Sequence, residues 1–217
     1  MRSVFLRLVV VAACAAVTAP VGLARQLGAR TADEWIKLLE APERTSGLGI
    51  DQVLSHLHLK AGDTIADIGA GTGIFSLPLA RAVGPSGKVY AVEVDPRLVE
   101  YIRTRAAEQK AANVTAVLGE FTDPRLPVTS VDLGYFHDVL HHIANRGAYL
   151  GRLSKYLKPD GRIAVVEMDP LKGSHPDDPT LQVSKAQLKG WMTNLGFVAK
   201  EEIDLPANRW LAIYGRR

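Results

Sequence analysis

The sequence predicts an α/β fold in which a doubly wound, mostly parallel sheet of seven strands carries helices on both faces. Short apolar runs alternate regularly with helix-like segments between Thr64 and Gly161. A glycine-rich turn, Asp67-Ile68-Gly69-Ala70-Gly71-Thr72-Gly73, joins the first apolar run to the first of these helices. Two apolar runs near the C-terminus have no helix between them, which predicts a hairpin that places one strand antiparallel.

The predicted strands are apolar runs bounded by turn residues or by charged residues. In order they span Thr64–Ala66, Val89–Val94, Asn113–Leu118, Val131–Phe136, Arg162–Glu167, Phe197–Leu205 and Arg209–Tyr214. The sequence Lys158-Pro159-Asp160-Gly161 is predicted to be the turn that precedes the fifth strand.

The predicted helices show apolar faces at helical spacing. In order they span Thr31–Leu39, Ile50–Leu59, Ile74–Val83, Pro96–Ala111, Val139–Leu157 and Ser184–Gly196. Thr31 or Asp33 is available to cap the first helix, and Pro42 follows its end. Residues 25–60 are therefore predicted to be an N-terminal helical cap, and residues 61–217 the main domain.

The first 24 residues are predicted to be a targeting segment. Two arginines precede an uncharged run from Leu8 to Ala24, and Gly22-Leu23-Ala24 offers the small residues that a signal peptidase reads. Residues 1–24 are thus expected to be a signal peptide or a membrane anchor, with membrane association through residues 4–24. The predicted location is exported (periplasmic or secreted) or membrane-anchored, and cytoplasmic if this segment is not used.

The composition argues against several kinds of functional site. The chain has 217 residues, a net charge of +3 and 47% hydrophobic residues, which fits one globular domain with an extension and gives no nucleic-acid-binding surface. The one cysteine, Cys14, lies in the N-terminal segment, where Val11-Ala12-Ala13-Cys14 resembles a lipoprotein box. The main domain then has no thiolate for a metal site, a disulfide or a nucleophile, and no metal is expected.

The glycine turn and the acid after the second strand form the candidate cofactor site. Glycines let a backbone pass close under a ligand, and Glu93 can accept hydrogen bonds from both hydroxyls of a ribose. In the dinucleotide pattern G-x-G-x-x-G, Gly69 and Gly71 match, but the third glycine, Gly73, comes one residue early. Asp67 would repel a pyrophosphate and suits a ligand that carries an ammonium group. The alternative is a tight turn that binds no ligand.

The pattern acid-x-Gly-x-Gly-x-Gly resembles motif I of class I S-adenosylmethionine-dependent methyltransferases, and the resemblance extends over roughly residues 43–217. It implies the Rossmann-like fold of that family and S-adenosylmethionine as cofactor. The loop 67–73 would then hold the methionine part and Glu93 the ribose. Glu120 would meet the adenine amino group, although Asp is more usual there, and the alternative for Glu120 is a solvated loop acid.

The acceptor side is predicted at the end of the fourth strand. His137, Asp138 and His141 are candidate catalytic residues, because histidine is a plausible general base near neutral pH. A metal pair of His137 and His141 would need both on one helix face, and packing or capping is the alternative for these residues and for His142. In this fold the segment before the core commonly closes over the cofactor, so Arg44 is predicted either to face the pocket, with its neighbour Glu43, or to be solvated.

The resemblance implies an enzyme that transfers a methyl group from S-adenosylmethionine to an unidentified small-molecule or lipid-like acceptor. No Asn-Pro-Pro-Tyr-like tetrapeptide follows the fourth strand, and Glu167-Met168-Asp169 stands where metal-dependent catechol-type enzymes carry Asp-Asn. The first alternative is a non-catalytic protein that keeps the fold and binds the cofactor or a nucleoside. The second is a nicotinamide-dependent oxidoreductase, which the position of Gly73 disfavours. No pattern specifies an oligomeric state.

Overall fold

The structure is a computed structural model, and it describes residues 30–173 and 177–217. The predicted signal peptide or anchor at residues 1–24, together with Cys14, lies outside the described residues. Within the part of the chain that is described, no helix is both long enough and apolar enough to cross a membrane.

Seven strands form a single sheet. They are β1 (Thr64–Ile68), β2 (Lys88–Glu93), β3 (Val114–Leu118), β4 (Val131–His137), β5 (Leu157–Met168), β6 (Phe197–Leu205) and β7 (Arg209–Arg216). Their spatial order is β3-β2-β1-β4-β5-β7-β6. Strands β1 to β5 pair in parallel, while β7 is antiparallel to both β5 and β6. Six strands therefore run one way and one runs the other, which confirms the predicted fold class.

Helices cover both faces of this sheet. They are α1 (Ala32–Leu39), α2 (Pro42–Thr45), α3 (Ile50–His56), α4 (Ser76–Val83), α5 (Pro96–Glu108), α6 (Arg146–Leu153) and α7 (Lys185–Asn194), with 3₁₀ turns at Leu140–His142 and Pro179–Leu181. Apolar side chains of α3 and α4 pack on one face of the sheet, and those of α6 and α7 pack on the other. Most residues of β1 and β4 are buried. Because successive strand residues point to opposite faces, both faces of these two strands are covered.

Three predicted elements differ from the structure. The helix predicted over Val139–Leu157 is wrong, because extended Ile143 separates the 3₁₀ turn from α6, and the side chain of Asn145 caps α6 by accepting from Ala148 N. The turn predicted at residues 158–161 is instead an irregular stretch inside β5: Leu157 pairs with Val131, and Arg162 pairs with Leu133. Pro42 does not only end α1, because it also opens α2 at a position where proline needs no N–H partner.

Candidate active site

The glycine turn occupies a backbone conformation that only glycine adopts easily. Gly69, Gly71 and Gly73 have φ angles of 66°, 59° and 75°. Close neighbours add a second requirement, since a Cβ on Gly69 would lie 2.3 Å from Val139 Cγ2 and one on Gly71 would lie 2.8 Å from Leu39 Cδ1. The predicted loop is thus a tightly enclosed turn at the carboxyl end of β1.

Glu93 at the end of β2 is tied directly to this loop. Its two carboxylate oxygens accept hydrogen bonds from Gly71 N at 3.0 Å and from Val94 N at 2.7 Å. The residue is buried, and burial raises its pKa, while the bonds from backbone N–H groups oppose that shift. Each carboxylate oxygen has a second lone pair, so Glu93 can accept further hydrogen bonds from a hydroxylated ligand.

Asp67 at the end of β1 is the second buried acid of this region. The hydroxyl of Ser76 donates a 2.6 Å hydrogen bond to its Oδ2. Burial raises the pKa of Asp67 to about 7 and the nearby Glu93 adds to this rise, while the bond from Ser76 opposes it. The Asp67 carboxyl therefore titrates near neutral pH.

The loop also contains a polar atom that lacks a partner. Thr72 Oγ1 is buried and makes no hydrogen bond among the residues that the structure describes. The backbone carbonyl of Thr72 accepts from Arg105 Nη1 at 3.1 Å, and Arg105 also forms an ion pair with Glu40. A glycine cradle, two buried carboxyls and an unpartnered hydroxyl form a donor and acceptor set suited to a ligand with hydroxyl and ammonium groups.

Helix α1 covers this end of the sheet. A capping box between Thr31 and Glu34 starts the helix, so Thr31 is the cap rather than Asp33. Asp33 instead accepts a 2.7 Å hydrogen bond from Arg97 of α5. The ring of Trp35 stands edge-on to that of His142, with centroids 6.4 Å apart. Together with the contact of Leu39 on Gly71, these bonds place α1 over the glycine loop.

Glu120 follows the carboxyl end of β3, the strand next to β2 in the sheet. Gly119 N donates to Glu93 O at 2.9 Å, which brings the two acids into neighbouring positions. The Glu120 side chain is half exposed, and Arg125 Nη2 donates to it at 2.6 Å. The predicted contact of Glu120 with adenine stays a prediction.

The acceptor-side candidates divide into two clusters. In the first, His137 is buried, stacks on Phe75 at 4.1 Å between ring centroids, and shares a 2.8 Å hydrogen bond between Nδ1 and the hydroxyl of Tyr135. Its Nε2 is buried and has no hydrogen-bond partner among the described residues. Burial lowers the pKa of His137 to about 4, so the ring is neutral at physiological pH.

Asp138 follows His137 and is held by an arginine from the opposite end of the domain sequence. Arg209, the first residue of β7, donates three hydrogen bonds of 2.7–3.1 Å to its carboxylate. Arg44 Nη2 lies 3.8 Å from Asp138 Oδ2. Burial opposes ionisation of Asp138, but His137, the bonds from Arg209 and the charge of Arg44 together lower its pKa. Sequence reasoning missed Arg209, although a charged residue that opens an otherwise buried strand was a usable signal.

The second cluster pairs His141 with Glu167 of β5. His141 Nδ1 lies 2.7 Å from Glu167 Oε2, and His141 N donates to Glu167 Oε1 at 3.0 Å. Both side chains are almost fully buried, and they line a small cavity whose other walls come from residues 168–170, Gly173 and residues 181–183. Arg146 holds the 3₁₀ turn by donating to Leu140 O at 3.1 Å and to His141 O at 2.6 Å.

The structure places His137 and His141, which the sequence predicted as one group, in different elements. His137 ends a strand and His141 lies in a 3₁₀ turn, so the two do not share a helix face as a metal pair would require. Within residues 30–173 and 177–217, no three His, Cys, Asp or Glu side chains are grouped for a metal ion. Arg44 is mostly buried beside Asp138, whereas Glu43 is exposed.

Comparisons with known proteins agree on one family. The family described as "Methyltransferase domain" matches residues 59–209. The arsenite methyltransferase of Halobacterium salinarum is 28% identical over 165 residues, which are 71% of this chain and 42% of that protein. The nocamycin O-methyltransferase of Saccharothrix syringae is 30% identical over 106 residues, which are 49% of this chain and 38% of that protein. These matches thus cover about two fifths of each relative.

Solved structures show the same architecture. A SAM-dependent methyltransferase from Aquifex aeolicus superposes with a TM-score of 0.78 at 22% identity, covering 87% of this chain and 100% of that one. At this identity the likeness establishes the fold alone. The family match, over residues 59–209, includes the glycine loop, both buried acids, and the pairs Asp138 with Arg209 and His141 with Glu167.

Proposed function

The chain belongs to the class I S-adenosylmethionine-dependent methyltransferase family, and we propose that it transfers a methyl group from S-adenosylmethionine to a small-molecule acceptor. The observation that carries the proposal is the hydrogen bond between Gly71 N and Glu93, which joins the glycine turn and the acid of β2 in one site. The matched arsenite, nocamycin and demethylmenaquinone methyltransferases have small molecules in their names, which supports a small acceptor here.

The residues present fit this cofactor. Glu93 has lone pairs for the two ribose hydroxyls, and Asp67 offers a carboxylate to the ammonium group of the methionine part. The loop 69–73 has no side chain that would block a close approach, apart from the buried hydroxyl of Thr72. When bound, the cofactor supplies an electrophilic methyl group on a sulfonium. The protein has to bind it, orient the acceptor and exclude water.

His141 is the side chain best suited to remove a proton from the acceptor. Glu167 accepts the Nδ1 proton and so selects the tautomer whose lone pair is on Nε2. That lone pair can take the proton of an acceptor hydroxyl, which leaves the oxygen as the nucleophile for the methyl group. His137 is a weaker candidate because its pKa lies near 4, and Asp138 is a weaker one because Arg209 holds its carboxylate.

The role of His141 can be tested without knowing the acceptor. Nitrogen-15 NMR of the histidine side chains should show His141 protonated at Nδ1, with Nε2 as the basic nitrogen. Glu167→Gln should change that tautomer population, whereas Asp204→Asn, at a carboxylate on β6 that is 88% exposed, should leave it unchanged. A His141 ring protonated at Nε2 alone in the wild-type protein would contradict this role.

Transfer itself can be tested with labelled cofactor. Purified protein, S-adenosylmethionine with a tritiated methyl group and fractionated cell extract should give a labelled small molecule. Glu93→Ala should abolish the labelling, and Glu100→Ala, an exposed acid on α5, should not. Cofactor binding without any labelled product would favour the non-catalytic alternative. Thermal stabilisation by NAD and not by S-adenosylmethionine would favour the oxidoreductase.

We also propose that residues 1–24 direct export or anchoring. The support is the order of positive residues, apolar run and small residues in the sequence. Cell fractionation with N-terminal sequencing tests this proposal. A mature chain that begins near Arg25 would show cleavage, an intact N-terminus in the membrane fraction would show anchoring, and an intact soluble cytoplasmic protein would contradict both.

A further inference from the structure

The carboxyl end of β4 and the neighbouring amino end of β7 carry an excess of positive charge that the proposed methyl transfer does not use. Arg44 and Arg209 both face Asp138. The neighbouring His137 adds no charge at neutral pH, because burial lowers its pKa to about 4. Glu40, the other acid that acts on Arg44, is itself paired with Arg105. Two guanidinium groups therefore meet one carboxylate in a region largely closed to water.

The two arginines are not equivalent. Arg209 is 5% exposed and binds Asp138 through three hydrogen bonds of 2.7–3.1 Å. Arg44 Nη2 stays 3.8 Å from the same carboxylate, which is beyond hydrogen-bond distance, and its guanidinium makes no hydrogen bond with any described residue. Because the Arg44 side chain is only 25% exposed, its five N–H donors are poorly served by solvent, and burial lowers its pKa.

A second unpartnered group lies beside Arg44. His137 Nε2 is buried without a hydrogen bond and lies 3.6 Å from Asp138 Oδ2. Burial raises the pKa of Tyr135, so its hydroxyl keeps its proton and can donate it to His137 Nδ1. The neutral imidazole then carries its hydrogen on Nε2. Arg44 and His137 thus offer two kinds of donor, and neither has an acceptor within hydrogen-bond distance.

We propose that Arg44, assisted by His137 Nε2–H, binds a carboxylate that the cofactor or the acceptor brings into this cluster. A carboxylate matches the planar fork of a guanidinium with two parallel hydrogen bonds, and its charge cancels the excess on the two arginines. This inference rests on the proposed function, because it places the carboxylate in the site that holds S-adenosylmethionine.

The position of the cluster makes the cofactor the first source to test. In the sheet, Asp67 pairs in register with Tyr135, whose hydroxyl bonds His137. The proposed ammonium partner, Asp67, and the cluster around Arg44 therefore lie at adjacent strand ends. An amino acid carries its ammonium and carboxylate groups on one carbon, so the methionine part of the cofactor has both groups in the required proximity.

Calorimetry with a matched pair of ligands tests this source. The pair is S-adenosylmethionine and its decarboxylated form, which differ only in the carboxylate. Wild-type protein should bind the first about 10–100-fold more tightly, the range expected for a hydrogen bond between charged groups. Arg44→Met should remove most of this preference without changing the affinity for the decarboxylated ligand. Arg44→Lys should keep part of it, and Arg81→Met, at an exposed arginine near the end of α4, should keep all of it.

A second experiment tests whether the acceptor, and not the cofactor, supplies the carboxylate. If the wild-type protein binds both ligands equally, benzoate added to protein saturated with S-adenosylhomocysteine should raise the melting temperature, and Arg44→Met should abolish that rise. The inference is overturned if Arg44→Met changes neither the ligand preference nor the benzoate response. A wild-type protein that binds S-adenosylmethionine but shows neither effect refutes this inference alone, whereas absence of any binding refutes the proposed function.

Discussion

The proposed cofactor end and the proposed acceptor end of the site are built in different ways, although both lie at the carboxyl ends of the parallel strands. The proposed cofactor end lies in one β-α-β unit, where the backbone N–H of Gly71 in the glycine turn donates to Glu93 at the end of the next strand. The acceptor end joins side chains from β4, β5, β7 and α2 through long-range ion pairs such as Asp138 with Arg209, which are 71 positions apart. The proposed cofactor end is thus built from residues close in sequence, whereas the proposed acceptor end depends on distant parts of the chain.

Removing a long-range ion pair should have the largest effect. Arg209→Met leaves the buried carboxylate of Asp138 without its hydrogen bonds, and we expect the free energy of unfolding to fall by about 3–5 kcal/mol in urea denaturation. The double variant with Asp138→Asn should recover part of that loss, because a neutral amide then replaces the buried carboxylate, while Arg44 still loses its nearby negative charge. If the double variant is less stable than Arg209→Met, the ion pair does not hold the acceptor end as described.

The titration of Asp67 should have the next largest effect. Its folded-state pKa near 7 lies above the unfolded value of 3.8, so the stability it contributes is fully present below pH 4 and is lost as pH rises through 7. Relative to Asp67→Asn, the wild-type protein should therefore lose a few kcal/mol of unfolding free energy over this range. Binding of S-adenosylmethionine should show the opposite trend and strengthen with pH, because the ionised carboxyl attracts an ammonium group.

Chemical denaturation of both proteins at several pH values checks the stability trend, and calorimetry checks the binding trend. The Asp67→Asn protein is the matched control, since its amide can still accept the hydrogen bond from Ser76. A stability difference that does not change between pH 4 and 8 would contradict the raised pKa of Asp67.

The next largest effect is expected in the glycine loop, where the side chain of Val139 lies close to Gly69. Gly69→Ala combines an unfavourable left-handed φ with a Cβ 2.3 Å from Val139 Cγ2, and we expect a loss of about 2–3 kcal/mol. Gly196→Ala is the matched control, because Gly196 has a φ of 81° and no atom within 4 Å of an added Cβ. The control should lose only about 1 kcal/mol. Val139→Ala should partly rescue Gly69→Ala, and equal losses for the two glycine variants would remove the argument for close approach.

The surface anchor of α1 should have the smallest effect. Asp33 and Arg97 are both largely exposed, so Asp33→Asn should change the free energy of unfolding by less than about 1 kcal/mol. High salt should reduce even this difference. A larger loss in thermal denaturation would show that α1 is held to the domain mainly by this pair and not by its contact with the glycine loop.

The sequence predicted the local structure of the proposed cofactor end well, because the signals for it are local. The order of strand, glycine turn, helix and acid is visible in consecutive residues, and the structure brings Gly71 and Glu93 into contact. The acceptor end could be predicted only in part. His137, Asp138 and His141 were found as a group, but their partners Arg209 and Glu167 come from other strands, and no spacing rule links them.

The boundary errors also have a physical cause. Periodicity suggested a continuous helix from Val139, yet residues 140–142 form a 3₁₀ turn that Arg146 holds through two backbone carbonyls. This turn is what places His141 against Glu167. Tertiary hydrogen bonds thus overrode local helix propensity at the point where the proposed base lies.

Calorimetric titration of the purified protein with S-adenosylmethionine tests the central claim most directly, namely that the glycine turn and Glu93 form one cofactor site. We expect binding in the micromolar range for the wild-type protein, strong weakening by Glu93→Ala or Gly71→Arg, and unchanged binding by Glu100→Ala. Absence of heat and of thermal stabilisation with both the cofactor and S-adenosylhomocysteine, or equal binding by wild-type and Glu93→Ala proteins, would contradict the claim.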